Sequence, residues 1–136
     1  MNVESIKELF EQQKGYSKYN NMHLESLTKE EAVLYADINE NSLNPSEIVH
    51  GGLIFGLADN AMGTLAYSTG RKVVTVNSSI NYLRPCRGKR ITCVATPVKV
   101  GLTIGVYEAR IYDEEQELAA TVSGTYFFLD HDIPKK

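Results

Sequence analysis

This 136-residue chain contains no tryptophan, has no strong net charge of either sign, and has too few cysteines for a network of disulfide bonds. The 14 lysine and arginine residues are outnumbered by 17 acidic ones, which gives a formal net charge of −3. This balance excludes the basic surface of a nucleic-acid-binding protein. The two cysteines, Cys86 and Cys93, are too few and too close for a disulfide framework or a zinc site. We therefore expect two reduced thiols.

The start of the chain, MNVESIKELFEQQ, is polar, acidic and amphipathic, so it lacks the apolar core of a signal peptide. Together with the reduced thiols, this predicts a cytoplasmic protein. The length predicts a single domain over residues 1–136 with one hydrophobic core. Only the tail, residues 131–136, is expected to lie outside the ordered domain.

The longest apolar stretch, residues 48–69, contains a single carboxylate, that of Asp59. A charge is rarely buried unless it is paired or functional. Gly52, Gly56, Asp59 and Gly63 follow a 4-3-4 spacing, which places them on one face of a helix. Because glycine destabilises a helix, three on one face indicate the close approach of a second backbone or of a ligand beside Asp59. Asp59 and the glycines argue against a membrane span.

Alternation of apolar and polar residues predicts six strands, over residues 20–28, 32–40, 72–84, 89–100, 103–113 and 117–129. A short amphipathic helix over residues 3–13 precedes them. The last four strands are expected to follow one another as an antiparallel meander. The long helix is the only large apolar element that can cover such a sheet. We therefore predict an α+β fold in which a curved antiparallel sheet of about six strands wraps around one long helix.

Four short motifs give the chain its resemblance to a known family. They are Asn44-x5-His50-Gly51-Gly52-x6-Asp59, Val74-Thr75-Val76, Asn81-Tyr82-Leu83-Arg84-Pro85 and Val98-Lys99-Val100-Gly101. This pattern resembles the hotdog-fold acyl-CoA thioesterases, and within them the phenylacetyl-CoA (PaaI-type) branch. The likeness covers nearly the whole chain. It implies a hotdog fold, hydrolysis of an acyl-CoA to a carboxylate and free CoA, and a homodimer that pairs into a homotetramer.

The resemblance also implies the roles of individual residues. Asp59 would act as general base or as nucleophile, and Gly51 would donate its backbone N–H to the thioester carbonyl oxygen. Asn44 would position substrate or water, and Thr75 would support the nucleophilic side. The substrate-binding residues would be His50, Gly52, Tyr82, Leu83, Arg84, Lys99, Gly101 and Thr103. No metal or cofactor is implied, because CoA is part of the substrate.

Elementary chemistry supports the pair Gly51 and Asp59. Thioester hydrolysis needs an activated oxygen and stabilisation of a developing oxyanion, and unpaired N–H groups at a helix N-terminus supply the second. Eight residues separate the two, which is about 12 Å along one helix. One carbonyl group cannot reach both. A complete site therefore needs the N-terminus of one helix and the aspartate of another, which predicts an obligate homodimer.

Two positions depart from the family pattern. Glu47 stands where the family usually has glycine, and its carboxylate would repel the CoA phosphates or narrow the mouth of the site. Leu102 replaces a residue that is often basic and that contacts CoA. Both changes leave the catalytic pair intact and bear on CoA affinity.

Plainer interpretations stay open for several residues. Asp59 would be a structural carboxylate paired across a dimer, and Asn44, which precedes Pro45, an ordinary turn or capping residue. For His50 a helix-entry role with a hydrogen bond to the backbone is favoured. The cluster Arg84, Arg87, Lys89 and Arg90 is either a solvated turn or a site for CoA phosphates. Tyr126-Phe127-Phe128 is expected in the core of the last strand.

Two other functions stay open beside hydrolysis. A non-catalytic acyl-CoA-binding or sensor protein would use the same groove without activating water. A hotdog hydratase or dehydratase would need a histidine base near the thioester, for which His50 is the candidate, and the spacing to Asp59 argues against it. The acyl group is open among aromatic, short-chain and medium-chain acids.

Overall fold

One antiparallel sheet and one long helix form the centre of the computed structural model, which describes residues 2–129. The predicted tail, residues 131–136, lies outside the described part of the chain. The elements are α1 (Val3–Glu11), α2 (Tyr16–Tyr19), β1 (Met22–Leu27), β2 (Ala32–Asp37), a 3-10 turn (Glu40–Ser42), α3 (Gly51–Tyr67), β3 (Val73–Tyr82), β4 (Arg90–Val100), β5 (Ile104–Tyr112) and β6 (Leu118–Phe128). The predicted helix-on-sheet architecture is confirmed.

The N-terminal helix α1 begins where its capping chemistry predicts. The Asn2 side chain accepts a hydrogen bond from the Ser5 N–H at 2.8 Å, which satisfies one of the free donors of the first turn. Ile6 and Phe10 are buried one helical turn apart, so α1 packs against the rest of the molecule through one face. Helix α2 was not predicted, because four residues are too short to show a helical period.

The long helix α3 begins three residues later than predicted, at Gly51. Ile48 and Val49 are not helical, because Val49 pairs with Leu43 as an isolated bridge and donates its N–H to the Cys86 carbonyl at 3.0 Å. The N-cap of α3 is His50, whose side chain accepts a hydrogen bond from the Gly52 N–H. No helix among residues 2–129 is long and apolar enough to cross a membrane.

The sheet order β1-β2-β4-β5-β6-β3 corrects the predicted four-strand meander. Only β4, β5 and β6 follow one another. β3 pairs with β6 at the far edge, where Thr75 lies opposite Tyr126, and β4 pairs with β2 instead. The connection over residues 83–89 is longer than a tight hairpin, and the Leu83 N–H bonds the Ala119 carbonyl at 2.8 Å. β3 is therefore an edge strand.

The core lies between α3 and the inner face of the sheet. Leu57 and Met62 of α3 are fully buried, as are Leu34, Ile91 and Ile111 of the strands. Burying each such side chain contributes about 1.5–3 kcal/mol. Both cysteines are free thiols, which agrees with the prediction, and both are buried, which the sequence did not indicate. This packing fixes the position of α3, and with it the position of Asp59.

Candidate functional site

Asp59 lies half-buried on α3 and faces the strands β3 and β6. One oxygen of its carboxylate, Oδ1, accepts hydrogen bonds from the Thr75 hydroxyl at 2.9 Å and from the Tyr126 phenol at 2.7 Å. Thr75 and Tyr126 are opposite each other in the β3–β6 register, so both side chains point toward the helix. The structure thus brings Thr75 to Asp59 as expected, and it adds Tyr126, which was expected only to fill the core.

The Tyr126 phenol is almost completely buried, with 1% of its surface exposed. Burial and, next, the charge of the Asp59 carboxylate strongly raise the pKa of this phenol. Tyr126 therefore stays protonated at any working pH and acts only as a hydrogen-bond donor to Asp59.

A cavity of about 470 Å³ opens beside the Asp59 carboxylate, between α1 and α3. Ile6, Leu9 and Phe10 of α1 line one side of it, and Gly63 lies in its wall one turn after Asp59. An added Cβ at Gly63 would meet only the Tyr126 ring, at 3.9 Å. The glycine thus leaves open space next to the carboxylate, as the spacing predicted.

Gly52 and Gly56, the earlier glycines on the same helix face, leave room for protein side chains and not for a ligand. An added Cβ at Gly56 would lie 2.3 Å from the Tyr16 hydroxyl, so this position is covered by α2 rather than by a ligand. The pKa of Tyr16 is raised by burial and, next, by the charge of Asp59. Gly52 is exposed, and an added Cβ there would meet the His50 ring at 3.0 Å.

The N-terminus of α3 holds the predicted carbonyl-binding group. Within residues 2–129 the Gly51 N–H has no acceptor, while the Tyr82 phenol donates to the Gly51 carbonyl at 2.8 Å. An added Cβ at Gly51 would come within 3.1 Å of that phenol. A larger residue at this position would have to displace the Tyr82 ring by a few tenths of an ångström, whereas glycine fits beneath it as it stands, with its N–H open to an acceptor.

His50 has the helix-entry role that the sequence favoured. Its Nδ1 accepts a hydrogen bond from the Gly52 N–H at 2.8 Å. In the neutral ring the remaining nitrogen, Nε2, then bears the proton and can donate but not accept. This arrangement removes the base that a hydratase or dehydratase would need.

Asn44 shapes the loop that leads into α3. Its Oδ1 accepts from the Ser46 N–H at 2.9 Å and from the Ile48 N–H at 3.3 Å. Glu47 inside this loop has a φ of 63°, in the left-handed region that favours glycine. The turn alternative for Asn44 is therefore what the structure describes, and glycine would adopt the φ of residue 47 without strain.

The predicted CoA-binding residues form two groups at opposite ends of β3. Tyr82 and Leu83 are exposed at the Gly51 end, and Arg84 there forms an ion pair with Glu117 at 3.1 Å. The second group lies at the turn between β4 and β5, and it comprises Lys99, Gly101 and Thr103. The ten residues of β3 span about 30 Å, so one chain does not bring the two groups together.

Arg71 was missed by the sequence analysis and holds the β4–β5 turn. Its guanidinium donates to the Leu102 carbonyl at 2.6 Å and to the Gly101 carbonyl at 3.4 Å. The same group lies 3.7 Å from the centre of the Phe128 ring. Nothing local in the sequence marks this contact, because 30 residues separate Arg71 from Gly101.

The predicted basic cluster is partly neutralised. Arg90 bonds Asp37 at 2.8 Å and lies over the Tyr35 ring. Arg84 is paired as described above. The solvated-turn alternative thus suits Arg84 and Arg90.

Other nucleophiles are poorly suited to catalysis. Burial raises the pKa of the Cys86 thiol to about 11 and raises that of Cys93 as well. Neither thiol is a nucleophile at neutral pH. Among residues 2–129 no three side chains of His, Cys, Asp or Glu cluster closely enough to hold a metal ion.

Comparison with known proteins gives a family match and several curated relatives. Residues 47–120 match the Thioesterase superfamily. The acyl-coenzyme A thioesterase PaaI of Escherichia coli is 32% identical over 94 residues, which cover 68% of this chain and 67% of that protein. A putative esterase of Deinococcus radiodurans is 36% identical over 90 residues, or 65% of this chain. The matched segments span only 61% of the length of that esterase and of a putative esterase of Haemophilus influenzae.

Solved structures share the architecture over almost their whole length. The E. coli PaaI protein from the phenylacetic acid degradation operon superposes with a TM-score of 0.87 at 23% identity, covering 98% of this chain and all of that one. The conserved protein PA5202 of Pseudomonas aeruginosa gives 0.81 at 28% identity, covering 86% of this chain and 95% of that one. The predicted hotdog fold is confirmed.

Proposed function

Because this chain belongs to the thioesterase superfamily, we propose that it hydrolyses an acyl-CoA thioester to a carboxylate and free CoA. The observation that supports this most strongly is the Asp59 carboxylate, which is held by Thr75 and Tyr126 at the wall of a cavity. A carboxylate with one oxygen bound and a cavity beside it is suited to act on a carbonyl carbon or on a water molecule.

The chemistry follows from Asp59 of one protomer and Gly51 of its partner, because the two residues of a single helix lie about 12 Å apart. Asp59 takes a proton from water that attacks the thioester carbonyl carbon, or attacks that carbon itself. The negative charge that develops on the carbonyl oxygen is stabilised by the free N–H of Gly51 at a helix N-terminus. The C–S bond then breaks, and CoA leaves as the thiolate. In the general-base route the thiolate takes up the proton that Asp59 removed from water. In the nucleophilic route the thiolate takes its proton from solvent, and water hydrolyses the mixed anhydride of Asp59 and the acyl group to release the carboxylate and restore Asp59.

A two-fold dimer through the β3 edge would complete the site. Asp59 and Thr75 lie at the start of β3, whereas Tyr82 and Gly51 lie at its end. Antiparallel pairing of two β3 strands places the start of one beside the end of the other. Asp59 of one protomer would then face the partner's Gly51. The PaaI-type resemblance suggests that two such dimers form a tetramer.

The substrate would lie across this interface. Its acyl group would enter the cavity beside Asp59, where Ile6, Leu9 and Phe10 offer an apolar wall. This wall suits an aromatic or medium-chain acid better than a short one. CoA would extend past the exposed Tyr82 and Leu83 of one protomer toward the β4–β5 turn of the partner, where the exposed Lys99 would meet a phosphate.

The test is release of free thiol from a panel of acyl-CoAs by the wild type and by Asp59→Asn. The panel includes phenylacetyl, benzoyl, short-chain and medium-chain acyl groups. We expect wild-type hydrolysis and a loss of about 10³-fold or more in Asp59→Asn, because Asn has the same shape and no basic oxygen. Asp37→Asn, which removes a carboxylate on the far strand β2, serves as the control and should keep its activity.

Equal hydrolysis by Asp59→Asn and wild type would refute the assignment of Asp59. Tight binding of acyl-CoA without any thiol release would instead favour the sensor function. In that case Glu47→Gly and Leu102→Lys would be the first variants to examine for recovered activity.

A further inference from the structure

Two tyrosines on neighbouring strands, Tyr107 and Tyr126, each follow a glycine in the same Gly-x-Tyr pattern. Gly105-Val106-Tyr107 of β5 lies against Gly124-Thr125-Tyr126 of β6, with Gly105 opposite Tyr126 and Tyr107 opposite Gly124. An added Cβ at Gly105 would lie 2.8 Å from the Tyr107 ring, and one at Gly124 would lie 2.9 Å from the Tyr126 ring. Each glycine thus makes room for a ring beneath α3.

The two rings are close neighbours and equally buried. Tyr107 and Tyr126 pack edge to face, with ring centres 5.7 Å apart and planes at 78°, and each exposes 1% of its surface. They differ in one respect. The Tyr126 phenol reaches the Asp59 carboxylate at 2.7 Å, whereas the buried Tyr107 phenol has no hydrogen-bond partner among residues 2–129.

We propose that Tyr126 is a positioning residue for the thioester hydrolysis proposed above, on which this inference rests. Together with Thr75 it occupies Oδ1 of Asp59 and leaves Oδ2 as the oxygen that acts on the thioester or on water. Within residues 2–129, Oδ2 of Asp59 accepts no hydrogen bond.

The physical reason lies in the number and direction of the donors. A phenol has one hydrogen, and at 2.7 Å it is directed to Oδ1, while the Asp59 backbone carbonyl lies farther away at 3.3 Å. Hydrogen bonds to a carboxylate are strong, and two on one oxygen fix the rotation of the side chain. The raised pKa of Tyr126 keeps this donor intact at alkaline pH. An error of about 1 Å in such a placement can cost a hundredfold in rate.

The test compares Tyr126→Phe with Tyr107→Phe, which removes the same atom from the neighbouring ring. We expect kcat of Tyr126→Phe to fall about 10- to 100-fold with KM within about threefold of wild type, because substrate contacts are retained. Tyr107→Phe should keep kcat within about twofold, since within residues 2–129 the Tyr107 phenol makes no hydrogen bond. In the Asp59→Asn background, Tyr126→Phe should cause no further loss.

Two kinetic results would overturn the inference. One is a kcat of Tyr126→Phe within twofold of wild type, and the other is an equal loss in Tyr107→Phe, which would indicate a general effect on packing. Absence of thioester hydrolysis in the wild type would refute the proposed function instead. The two failures are therefore distinguishable.

A spectroscopic measurement needs neither activity nor the Phe variant. With 3-fluorotyrosine placed at position 126, the fluorine resonance should shift when Asp59→Asn is introduced, because the phenol loses its charged acceptor. The same label at position 107 should shift much less. An unchanged resonance at position 126 would contradict the contact and with it the positioning role.

Discussion

Glu47 holds a backbone conformation that is costly for any residue with a side chain. Its φ of 63° lies in the left-handed region, where Cβ crowds the following carbonyl oxygen at a cost of about 1–2 kcal/mol. The Asn44 side chain enforces this turn by bonding the Ser46 and Ile48 backbone. At the scale of the residue, this strain is stored in the loop that delivers Gly51 to the N-terminus of α3.

Replacing Glu47 with glycine should therefore stabilise the protein. We expect the free energy of unfolding to rise by about 0.5–1 kcal/mol, since relief of strain exceeds the entropy cost of glycine. Urea denaturation measures this change. Glu47→Ala retains the Cβ and should stay within about 0.5 kcal/mol of wild type. A free energy of unfolding lower in Glu47→Gly than in the wild type would contradict the inference that residue 47 is strained.

Comparison of Glu47→Gly with Glu47→Ala also distinguishes the effect of backbone strain on substrate binding from the effect of the carboxylate charge. Both remove the carboxylate that would face the CoA phosphates, so a fall in KM for acyl-CoA that both share reports repulsion. A change in KM seen in Glu47→Gly alone reports the shape of the loop.

At the scale of the element, the β4–β5 turn depends on one distant side chain. Arg71 follows α3 and bonds the carbonyls of Gly101 and Leu102 while its guanidinium packs on Phe128. The turn includes residues that the resemblance assigns to CoA. Arg71 thus links the C-terminal end of α3 to the turn that is proposed to bind CoA.

Loss of this link should affect binding more than chemistry. We expect Arg71→Met to lower the free energy of unfolding by about 1–3 kcal/mol, because two hydrogen bonds to a charged group are lost. KM for acyl-CoA should rise severalfold while kcat changes little. The exposed neighbour gives the control, Lys72→Met, which should match wild type in both measurements. A lowered kcat at constant KM would show that the turn serves catalysis instead.

At the scale of the whole molecule, β3 leaves an unusually open edge. It has ten residues, most of them exposed, and no strand pairs with its outer side within residues 2–129. Val76 on this strand exposes 57% of its surface. Long edge strands with exposed apolar residues readily pair with another chain. This edge is where the two halves of the proposed site would meet.

A charge on this edge should separate the protomers. We expect Val76→Lys to shift the mass measured by light scattering toward the monomer and to abolish hydrolysis, since Asp59 and Gly51 of one chain lie about 12 Å apart. Val98→Lys, at a position of 55% exposure on β4, should retain the wild-type mass. Full activity of a monomer would refute the shared site. The wild-type mass also distinguishes a dimer from a tetramer.

Much of the fold was predictable because its signals are local. Alternation with a period of two marks strands, and a 3.6-residue period marks helices, wherever the rest of the chain lies. The six strands and α3 were predicted within a few residues. The start of α3 was wrong, because Val49 is drawn into pairing with Leu43 and Cys86. That pairing depends on residues up to 37 positions away.

The candidate site, like the fold, has features that the sequence predicts and features that depend on distant residues. The sequence by itself determined that Gly51 and Asp59 share one helix, that the helix face beside Asp59 lacks side chains, and that His50 lies near the helix entry. Only the tertiary structure decided that β3 lies beside β6, which puts Thr75 opposite Tyr126 and the Tyr126 phenol on Asp59. A repeated Gly-x-Tyr on two predicted strands was the one signal for this, and it does not say what the phenol contacts. Helix geometry is set by neighbouring residues, whereas a contact across 67 residues is set by how the strands pack.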